Sequence, residues 1–372
     1  MSMYKIPLFK LNFDKREEEA VLKTIKSHWI SSGPRTYELE LKFAKLIGAK
    51  YSLATTNCTA SLHLAMIISG IKAGDEVICP SLTFVATVNA IRYVGAIPVF
   101  CDISSKNDLT ISPEEIEQKI TKKTKAILIM HYAGFPCDMN KIMSISRKYN
   151  IKVIEDACHA PLSEYNGQNV GTFGAVSCYS FFSNKNISTG EGGMLVTNNK
   201  KYFENAKLLR SHGMSTASYD RSKNNSLCYD VLELGYNYRL DDIRASIAIV
   251  QLSKLKKDIK QREKVRKLYI KYLTEIKGLS IPFSKSNGVH SNYIFPVLVE
   301  NRDVVRKLLA QKGIQTSIHY QPVHRFNFYK KYYKELPVTD EVANRLLTLP
   351  MYSSLKVKEI IYIKECLTKI VK

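Results

Sequence analysis

Hydrophobic side chains near the N-terminus recur at the spacing of a helix. Val21 and Ile25 fall on one face of a segment that opens at Asp14, with a glutamate three residues later as a candidate capping box. This pattern predicts a first helix, which a Ser-Ser-Gly-Pro cluster ends at residues 31–34. A second amphipathic helix is predicted over residues 37–47, directly before a glycine.

From residue 51 onwards, short apolar runs alternate with stretches of helical spacing. Such alternation predicts right-handed βαβ units, and therefore an α/β fold with a mostly parallel sheet covered by helices on both faces. Ligands of such sheets bind at the carboxyl ends of the strands. Strands are predicted at residues 51–55, 76–79, 97–101, 125–130 and 151–154, and helices at residues 59–69, 83–94, 113–120 and 138–149.

The last third of the chain has a different pattern. A polar, irregular segment at residues 214–233 predicts a long loop. A long helix is then predicted from Asp241 to about residue 276, with a Lys/Arg-rich second half that we expect to be exposed. The remainder predicts a smaller α+β domain, with a strand and two helices at residues 292–299, 302–312 and 356–370. We therefore expect a large domain with an N-terminal helical segment over residues 1–240, and a linking helix with a small C-terminal domain over residues 241–372.

The first chemical signal is a lysine between two predicted strands. An alternating run predicts a strand over residues 175–182, and a second strand follows at residues 194–197 after the glycines of residues 190–193, which must form a turn with unusual dihedrals. Lys185 lies just beyond the end of the first strand. A loop lysine in a Lys-rich chain is, by itself, most often solvated.

A carboxylate at a neighbouring strand end changes that interpretation. The apolar run before it leads into Asp156. A Schiff-base lysine needs an aldehyde cofactor, and pyridoxal phosphate needs a carboxylate that keeps its ring nitrogen protonated. Lys185 and Asp156 together therefore predict a pyridoxal phosphate site. The hydroxyl-rich strand-to-helix junction at residues 55–61 suits the phosphate, although the same residues would serve as an ordinary N-cap.

Six motifs, in this order, are similar to those of one known family: WISSGP at residues 29–34, HYAG at 131–134, DACHA at 156–160, SFFSNKN at 180–186, TGEGG at 189–193 and LGYNYRL at 234–240. From about Ile6 to the last helix, the chain resembles the pyridoxal-phosphate sugar aminotransferases often called the DegT family. The resemblance implies fold type I of the pyridoxal-phosphate enzymes, in which helices enclose a mostly parallel sheet and a smaller C-terminal domain follows. The family usually has Gly-Thr where Cys58-Thr59 stands here.

The resemblance also implies roles for individual residues. Lys185 and Asp156 are the expected catalytic residues, Phe84 stacks on the cofactor ring, and Asn237 reaches across a homodimer interface to the partner's cofactor phosphate. Substrate contacts are expected at Ser31, Tyr320 and His324, and no metal site is expected. The full set expected at the cofactor is Cys58, Thr59, Phe84, Asp156, His159, Ser180, Lys185 and Asn237.

The reaction that the resemblance implies is a transamination. L-Glutamate is the expected donor and a keto group of a nucleotide-linked deoxysugar the expected acceptor, for surface polysaccharide or glycan synthesis. A small phosphorylated ketone such as dihydroxyacetone phosphate, or a cyclic polyol ketone, is the alternative acceptor. Relatives that dehydrate sugars carry histidine where Lys185 stands, which argues against dehydration. The amine of Lys185 must be neutral to accept a proton. We expect low polarity and neighbouring positive charge to lower its pKa towards neutrality.

The net charge of +21 permits another class, a basic regulatory or nucleic-acid-binding protein on this scaffold. However, the lysines are dispersed over predicted helices, without an arginine-aromatic cluster or a recognition motif. No apolar run approaches the ~20 residues of a membrane helix, and the first residues lack the apolar segment of a signal peptide. The eight scattered cysteines form no CxxC pair. We therefore expect a cytoplasmic protein without disulfides, zinc, nucleic acid or a membrane partner.

Overall fold

The computed structural model describes residues 4–216, 218–223 and 228–371. Its strands are β1 (Tyr51–Thr55), β2 (Glu76–Pro80), β3 (Ile97–Cys101), β4 (Thr124–Met130), β5 (Lys152–Asp156), β6 (Glu164–Tyr165), β7 (Gln168–Asn169), β8 (Val176–Ser180), β9 (Gly193–Thr197), β10 (Leu279–Ser280), β11 (Phe295–Val299) and β12 (Leu346–Leu349). Its helices are α1 (Lys15–Lys26), α2 (Pro34–Ile47), α3 (Cys58–Ile68), α4 (Val85–Tyr93), α5 (Pro113–Gln118), α6 (Met139–Tyr149), α7 (Lys200–Arg210), α8 (Ser218–Lys223), α9 (Asp242–Leu273), α10 (Arg302–Gln311), α11 (Pro337–Arg345) and α12 (Val357–Ile370).

A seven-stranded sheet forms the centre of the protein, in the order β1-β9-β8-β5-β4-β2-β3. Neighbouring strands are parallel except where β9 runs antiparallel to β1 and to β8. The predicted α/β fold with a mostly parallel sheet is therefore confirmed. β4 reads as a continuous apolar run, Ala-Ile-Leu-Ile-Met, because it is buried on both faces.

Helices cover both faces of this sheet. Successive side chains of a strand point to opposite faces, so neighbouring residues enter different clusters. Cys178 of β8 packs in the cluster that contains Leu62 of α3 and Leu209 of α7. Tyr179, the next residue, packs in the cluster that contains Phe43 of α2 and other residues of α2 and α9.

The C-terminal part has its own sheet and core. β10, β11 and β12 form an antiparallel sheet with β11 at its centre, and α10 and α12 pack against it. Ile6 is buried in the same cluster and pairs with Ile314. The division of the chain at residue 240 stays a prediction, and the packing of Ile6 indicates that the first described residues lie with the C-terminal part.

Helix α9 joins the two parts through buried cations. The prediction that its basic second half is exposed is wrong for the inward face, where Arg262 and Arg266 are buried. Arg262 pairs with Asp258 at 2.7 Å. It also donates to the carbonyls of Tyr293 and Met351, at 3.3 and 3.2 Å. A guanidinium carries five N–H donors, so one arginine can satisfy a carboxylate and several carbonyls.

The segment predicted as a long loop, residues 214–233, contains the short helix α8. The ring of Tyr219 on α8 packs edge-on against Trp29, with centroids 5.1 Å apart. Ala217 and residues 224–227 of this predicted loop lie outside the described residues. Across the described ranges, we find no helix with the length and apolar character needed to span a membrane.

Candidate active site

A cavity of about 400 Å³ opens at the carboxyl ends of the parallel strands. Its volume lies within the ~300–1,000 Å³ typical of small-molecule sites. Segments that follow β1, β2, β5 and β8 form much of its wall, as expected for ligand sites in open α/β sheets. Within the described part of the chain, no group of three or more His, Cys, Asp or Glu residues is arranged to hold a metal ion. The lining residues are Asn57, Cys58, Thr59, Leu62, Phe84, Ala86, Thr87, Asp156, Cys158, Ser180, Phe182, Asn184, Lys185, Glu191, Tyr293, His319 and Tyr320.

Asp156 is the last residue of β5, and its carboxylate is almost fully buried. Oδ1 accepts from the backbone N–H of Cys158 at 3.1 Å, and Oδ2 accepts from the hydroxyl of Thr87 at 2.7 Å. The hydroxyl oxygens of Thr83 and Thr87 are 2.8 Å apart. Thr87 has one hydroxyl hydrogen and gives it to Asp156, so the single hydroxyl hydrogen of Thr83 is shared between Oγ1 of Thr87 and Sδ of Met130, which is 3.0 Å away. These bonds hold the carboxylate in one orientation at the cavity wall.

Lys185 lies on the loop after β8. Its Nζ is 3.9 Å from Sγ of Cys158 and 4.2 Å from the centroid of the Tyr293 ring. Burial alone lowers the pKa of this ammonium, but electrostatic interactions with Cys158, Tyr293 and Asp156 outweigh burial and raise the pKa above its ordinary value. The expectation that the surroundings lower the pKa of Lys185 is therefore wrong.

The N-terminus of α3 faces the cavity through Cys58 and Thr59. Asn57 caps this helix by accepting from the N–H of Ala60 at 2.8 Å. The first N–H groups of a helix have no partner inside it, and together with the helix dipole they attract anions. Ser180, at the end of β8, adds a hydroxyl to the same cavity. This end of the cavity suits an anionic group.

Two glycines, one in the turn before β9 and one at its first residue, are needed for different reasons. Gly190 has a φ of 85°, which confirms the predicted turn with unusual dihedrals. At Gly193 the reason is space, because a Cβ there would lie 2.5 Å from the carbonyl carbon of Asn57 and 2.6 Å from the backbone nitrogen of Cys58. Glycine at this position lets β9 lie directly against the N-terminus of α3.

Phe84, Tyr320 and His159 form an aromatic wall. The Phe84 ring is 52% exposed, and its centroid is 5.6 Å from that of Tyr320. Nδ1 of His159 accepts from the N–H of Ala133 at 3.3 Å, and Nε2 is 2.8 Å from the Tyr320 hydroxyl. Burial and then the charge of Lys185 hold the pKa of His159 well below its ordinary value. The neutral ring therefore carries its hydrogen on Nε2 and donates it to Tyr320, whose own hydroxyl hydrogen is left for the cavity.

The structure brings most of the predicted site residues to one cavity. Those on its wall are Cys58, Thr59, Phe84, Asp156, Ser180, Lys185 and Tyr320. His159 lies directly behind Tyr320, and the exposed residues Ser31 and Asn237 lie outside this wall.

His324, predicted as a substrate contact, lies away from the cavity. It is buried, with Nδ1 2.7 Å from Oγ of Ser81 and Nε2 3.2 Å from a carboxylate oxygen of Asp340. Both ring nitrogens already have partners within the protein, and the ring stacks on Tyr333. The structure therefore places His324 in a polar network beneath the surface.

Sequence analysis missed several polar residues on the cavity wall. Cys158 and Asn184 each lie within two residues of a predicted site residue, and that proximity was the available signal. His319 lies directly beside the predicted residue Tyr320 and carries the same signal, whereas no local pattern distinguished Tyr293. The missed residues are Thr87, Cys158, Asn184, Glu191, Tyr293 and His319.

Comparison with known proteins gives one consistent result. The chain matches the model of the DegT/DnrJ/EryC1/StrS aminotransferase family over residues 12–368. It is 37% identical to the GDP-perosamine synthase of Escherichia coli O157:H7 over 99% of both chains. It is 36% identical to the spore coat polysaccharide biosynthesis protein SpsC of Bacillus subtilis, over 99% of this chain and 97% of SpsC.

Solved structures agree with these relatives. The chain is similar to PseC of Helicobacter pylori, an aminotransferase involved in the biosynthesis of pseudoaminic acid, with a TM-score of 0.93, 26% identity, and 98% and 99% of the two chains covered. It is also similar to the PLP form of Spr1654 from Streptococcus pneumoniae, with a TM-score of 0.91, 26% identity, and 99% and 98% of the two chains covered. The fold is therefore that of the fold-type I pyridoxal-phosphate aminotransferases.

Proposed function

Because the chain belongs to the DegT/DnrJ/EryC1/StrS aminotransferase family, whose members are pyridoxal-phosphate-dependent transaminases, we propose that it transfers an amino group from L-glutamate to a keto group of a nucleotide-linked deoxysugar. Its cofactor is pyridoxal phosphate. The relatives named for perosamine synthesis and for a spore coat polysaccharide support a sugar acceptor and a use in surface polysaccharide or glycan synthesis. The observation that carries the proposal is the presence of Lys185, Asp156 and a helix N-terminus on one cavity wall.

The residues of the cavity fit this cofactor. The α3 N-terminus with the hydroxyls of Thr59 and Ser180 suits a phosphate. Asp156 suits a protonated ring nitrogen, and Lys185 suits an aldehyde. A side chain at Gly193 would displace the backbone at the start of α3. We therefore assign these residues to the cofactor, with Cys58 contributing its backbone N–H.

When bound, pyridoxal phosphate supplies an aldehyde for the amino donor and a ring that accepts electrons from the donor Cα. Lys185, with its amine free, would move a proton between the donor Cα and C4′ of the cofactor. Asp156 keeps a proton on the ring nitrogen, in an orientation fixed by its bond from Thr87. Phe84 would cover a face of the ring and exclude water from it. The same residues act in reverse on the keto acceptor, so we expect ping-pong kinetics.

Tyr320 is the residue that we assign to substrate binding. Its hydroxyl oxygen accepts from His159, so its hydrogen is available to an oxygen of the donor or the acceptor. Burial raises the pKa of the Tyr320 phenol, which keeps that hydrogen in place at neutral pH. His159 acts through Tyr320 and is a positioning residue in this proposal. Ser31 and Asn237, which are exposed, would have to act from a second subunit or after a loop movement.

We propose that the catalytic unit is a homodimer, with Asn237 reaching the partner's cofactor phosphate. Asn237 is exposed on its own chain and follows a segment with unusual apolar exposure. Val231, Leu232 and Leu234 expose 56%, 63% and 85% of their surface. Burial of such side chains against a second copy is favourable, since interface cores are apolar.

The charge and the thiols of the chain support the class of acceptor and the compartment. A net charge of +21 raises the local concentration of an anionic, nucleotide-linked substrate. Cys58 and Cys158 on the cavity wall are thiols whose pKa values burial raises well above the ordinary range. Unpaired thiols beside a cofactor suit a reducing compartment, and we therefore assign the reaction to the cytoplasm.

A panel of keto acceptors tests the acceptor class. The enzyme loaded with pyridoxal phosphate is incubated with L-glutamate and one acceptor at a time, and release of 2-oxoglutarate is measured. We expect kcat/KM for a nucleotide-linked keto-deoxysugar to exceed that for dihydroxyacetone phosphate or a cyclic polyol ketone by roughly 100-fold or more. Turnover confined to the small ketones would contradict a sugar acceptor. Salt-sensitive DNA binding without transamination would contradict catalysis altogether.

A further inference from the structure

The ring of Tyr293 forms a surface beneath the amine of Lys185. Nζ lies 4.2 Å from the ring centroid, well within the ~6 Å reach of a cation–π contact. Tyr293 is only 3% exposed, so its ring face is shielded from bulk water. An aromatic face attracts an ammonium far more than a neutral amine, and the attraction is largest where water is excluded. The contact therefore links the position of the Lys185 amine to its charge.

Tyr293 is fixed in this position by bonds at its hydroxyl and its backbone. The hydroxyl donates to Oδ1 of Asn184 at 2.9 Å, and the backbone N–H donates to the carbonyl of Ala133 at 3.0 Å. Its carbonyl accepts from the buried guanidinium of Arg262 at 3.3 Å. The ring therefore has a fixed position. It belongs to the C-terminal part and lies against a lysine on the loop after β8.

Most of the other titratable groups around the Lys185 amine carry no charge that would hold the ammonium in place of the Tyr293 ring. Burial raises the pKa values of the Cys58 and Cys158 thiols well above their ordinary range, so both are neutral. Burial lowers the pKa of His319 to about 3 and holds that of His159 well below its ordinary value, so both imidazoles are neutral. Asp156 is the remaining group, and the proposed function commits its carboxylate to the cofactor ring.

We propose that Tyr293 is a positioning residue for proton transfer, whose ring face holds the Lys185 ammonium whenever that amine is not bonded to the cofactor. The proton that Lys185 takes from the donor Cα converts the amine to the ammonium that the ring holds, and delivery of that proton to C4′ restores the amine. The inference rests on the proposed function of Lys185. The contact itself lies within the protein, so it can be tested without turnover.

The test is acylation of Lys185 by acetic anhydride as a function of pH, in the full chain stripped of cofactor. Only the neutral amine reacts, so the rate reports the protonation of Lys185 directly. Mass spectrometry follows the peptide that contains Lys185, normalised to the exposed Lys122. The midpoint of the curve of labelling rate against pH reports the pKa of Lys185. Loss of the ring in Tyr293→Leu is expected to lower this midpoint by about one pH unit, which makes labelling at about pH 8 about tenfold faster than in the wild type. Tyr293→Phe keeps the ring face and is expected to stay within about twofold of the wild type.

Tyr320→Leu is the matched control, because it removes another ring from the same cavity wall without removing the face under Nζ. It is expected to leave the midpoint unchanged, even if a wider cavity raises the rate equally at every pH. An unchanged midpoint in Tyr293→Leu, with a native circular dichroism spectrum, would overturn the inference. An equal displacement in Tyr320→Leu would overturn it too. Failure of the proposed function would instead appear as the absence of a cofactor band, which these labelling rates do not depend on.

Discussion

Thr87 donates its single hydroxyl hydrogen to Oδ2 of Asp156 across 2.7 Å, and so ties the first turn of α4 to the end of β5. The Thr87 hydroxyl in turn lies 2.8 Å from that of Thr83, whose hydrogen is shared between Thr87 and Sδ of Met130. The carboxylate oxygen on the other side accepts from the backbone of Cys158. Asp156 is thereby held by two separate segments, and its orientation does not depend on the cofactor.

We predict that Thr87→Val weakens binding of pyridoxal phosphate about tenfold or more, since a hydrogen bond to a charged group contributes about 1.5–3 kcal/mol. The valine has nearly the same shape but leaves Oδ2 of Asp156 without its donor. Thr87→Ser keeps the hydroxyl and is expected to restore most of the affinity. Fluorescence titration of the stripped chain with the cofactor measures both. Equal dissociation constants for Thr87→Val and the wild type would show that the bond does not position Asp156.

We predict that Tyr320→Phe raises the KM of one substrate about fivefold and leaves the absorbance of the bound cofactor unchanged. The phenyl ring preserves the aromatic wall but removes the hydroxyl hydrogen that His159 leaves for the cavity. Steady-state kinetics against donor and acceptor separately would show which substrate loses the bond. Tyr333→Phe, at a half-exposed tyrosine outside the cavity, is the control and is expected to match the wild type. A loss of kcat with no change in either KM would contradict this role.

We predict that Glu155→Gln destabilises the fold by about 3 kcal/mol. Glu155 is fully buried and accepts from the N–H groups of Gly171, Phe173 and Gly174 and from Nε2 of His131. A glutamine offers one acceptor oxygen, and its NH2 group would face donors. Urea unfolding measures the change. Glu117→Gln, at a surface ion pair, is the control and is expected to stay within about 0.5 kcal/mol of the wild type.

We predict that the free energy of unfolding decreases as the pH falls below about 6.5. Burial lowers the pKa of His290 to about 4 and that of His319 to about 3. The unfolded chain binds a proton on each near pH 6.5, before the folded chain does, so protonation favours unfolding in this window. The slope that the two together contribute approaches about 2.7 kcal/mol per pH unit as the pH falls below about 5.5. Urea unfolding from about pH 7.5 to about pH 5.5 is expected to show this loss. His290→Asn is expected to lower the number of protons taken up on unfolding by about one, and the slope falls in proportion. A stability that stays constant over this range would contradict the burial of these rings as neutral groups.

The local features of this fold could be predicted from the sequence because their causes are local. The capping box of α1 needs only Asp14 and Glu17, three residues apart, and both of its bonds form. The alternation of strands and helices fixed the positions of Asp156 and Lys185 at strand ends, and parallel strands bring such ends together. The structure accordingly has both residues on one cavity wall.

The remaining features depend on contacts between distant segments. Tyr293 faces Lys185 and its carbonyl accepts from Arg262 on α9, and nothing near Tyr293 in the sequence indicates either contact. In the sequence, Arg262 cannot be told from the many surface cations, whereas in the structure it is buried against its partners. His324 has the chemistry of a substrate contact, but Ser81 and Asp340 occupy both of its ring nitrogens. Apart from Asp258, which is four residues from Arg262, each partner is more than ten residues away, so the local sequence pattern carries no information about it.

The measurement that tests the central claim most directly is an absorbance spectrum before and after addition of L-glutamate, for the wild type and for Lys185→Ala. Lys200→Ala, at an exposed lysine, is the control. We predict that the wild type and Lys200→Ala, with pyridoxal phosphate, show a visible band of the lysine-bound cofactor that glutamate bleaches, and that Lys185→Ala does not form this band normally. The absence of such a band in the wild type with added cofactor, or an identical band in Lys185→Ala, would show that Lys185 does not bind the cofactor and would contradict the proposed mechanism.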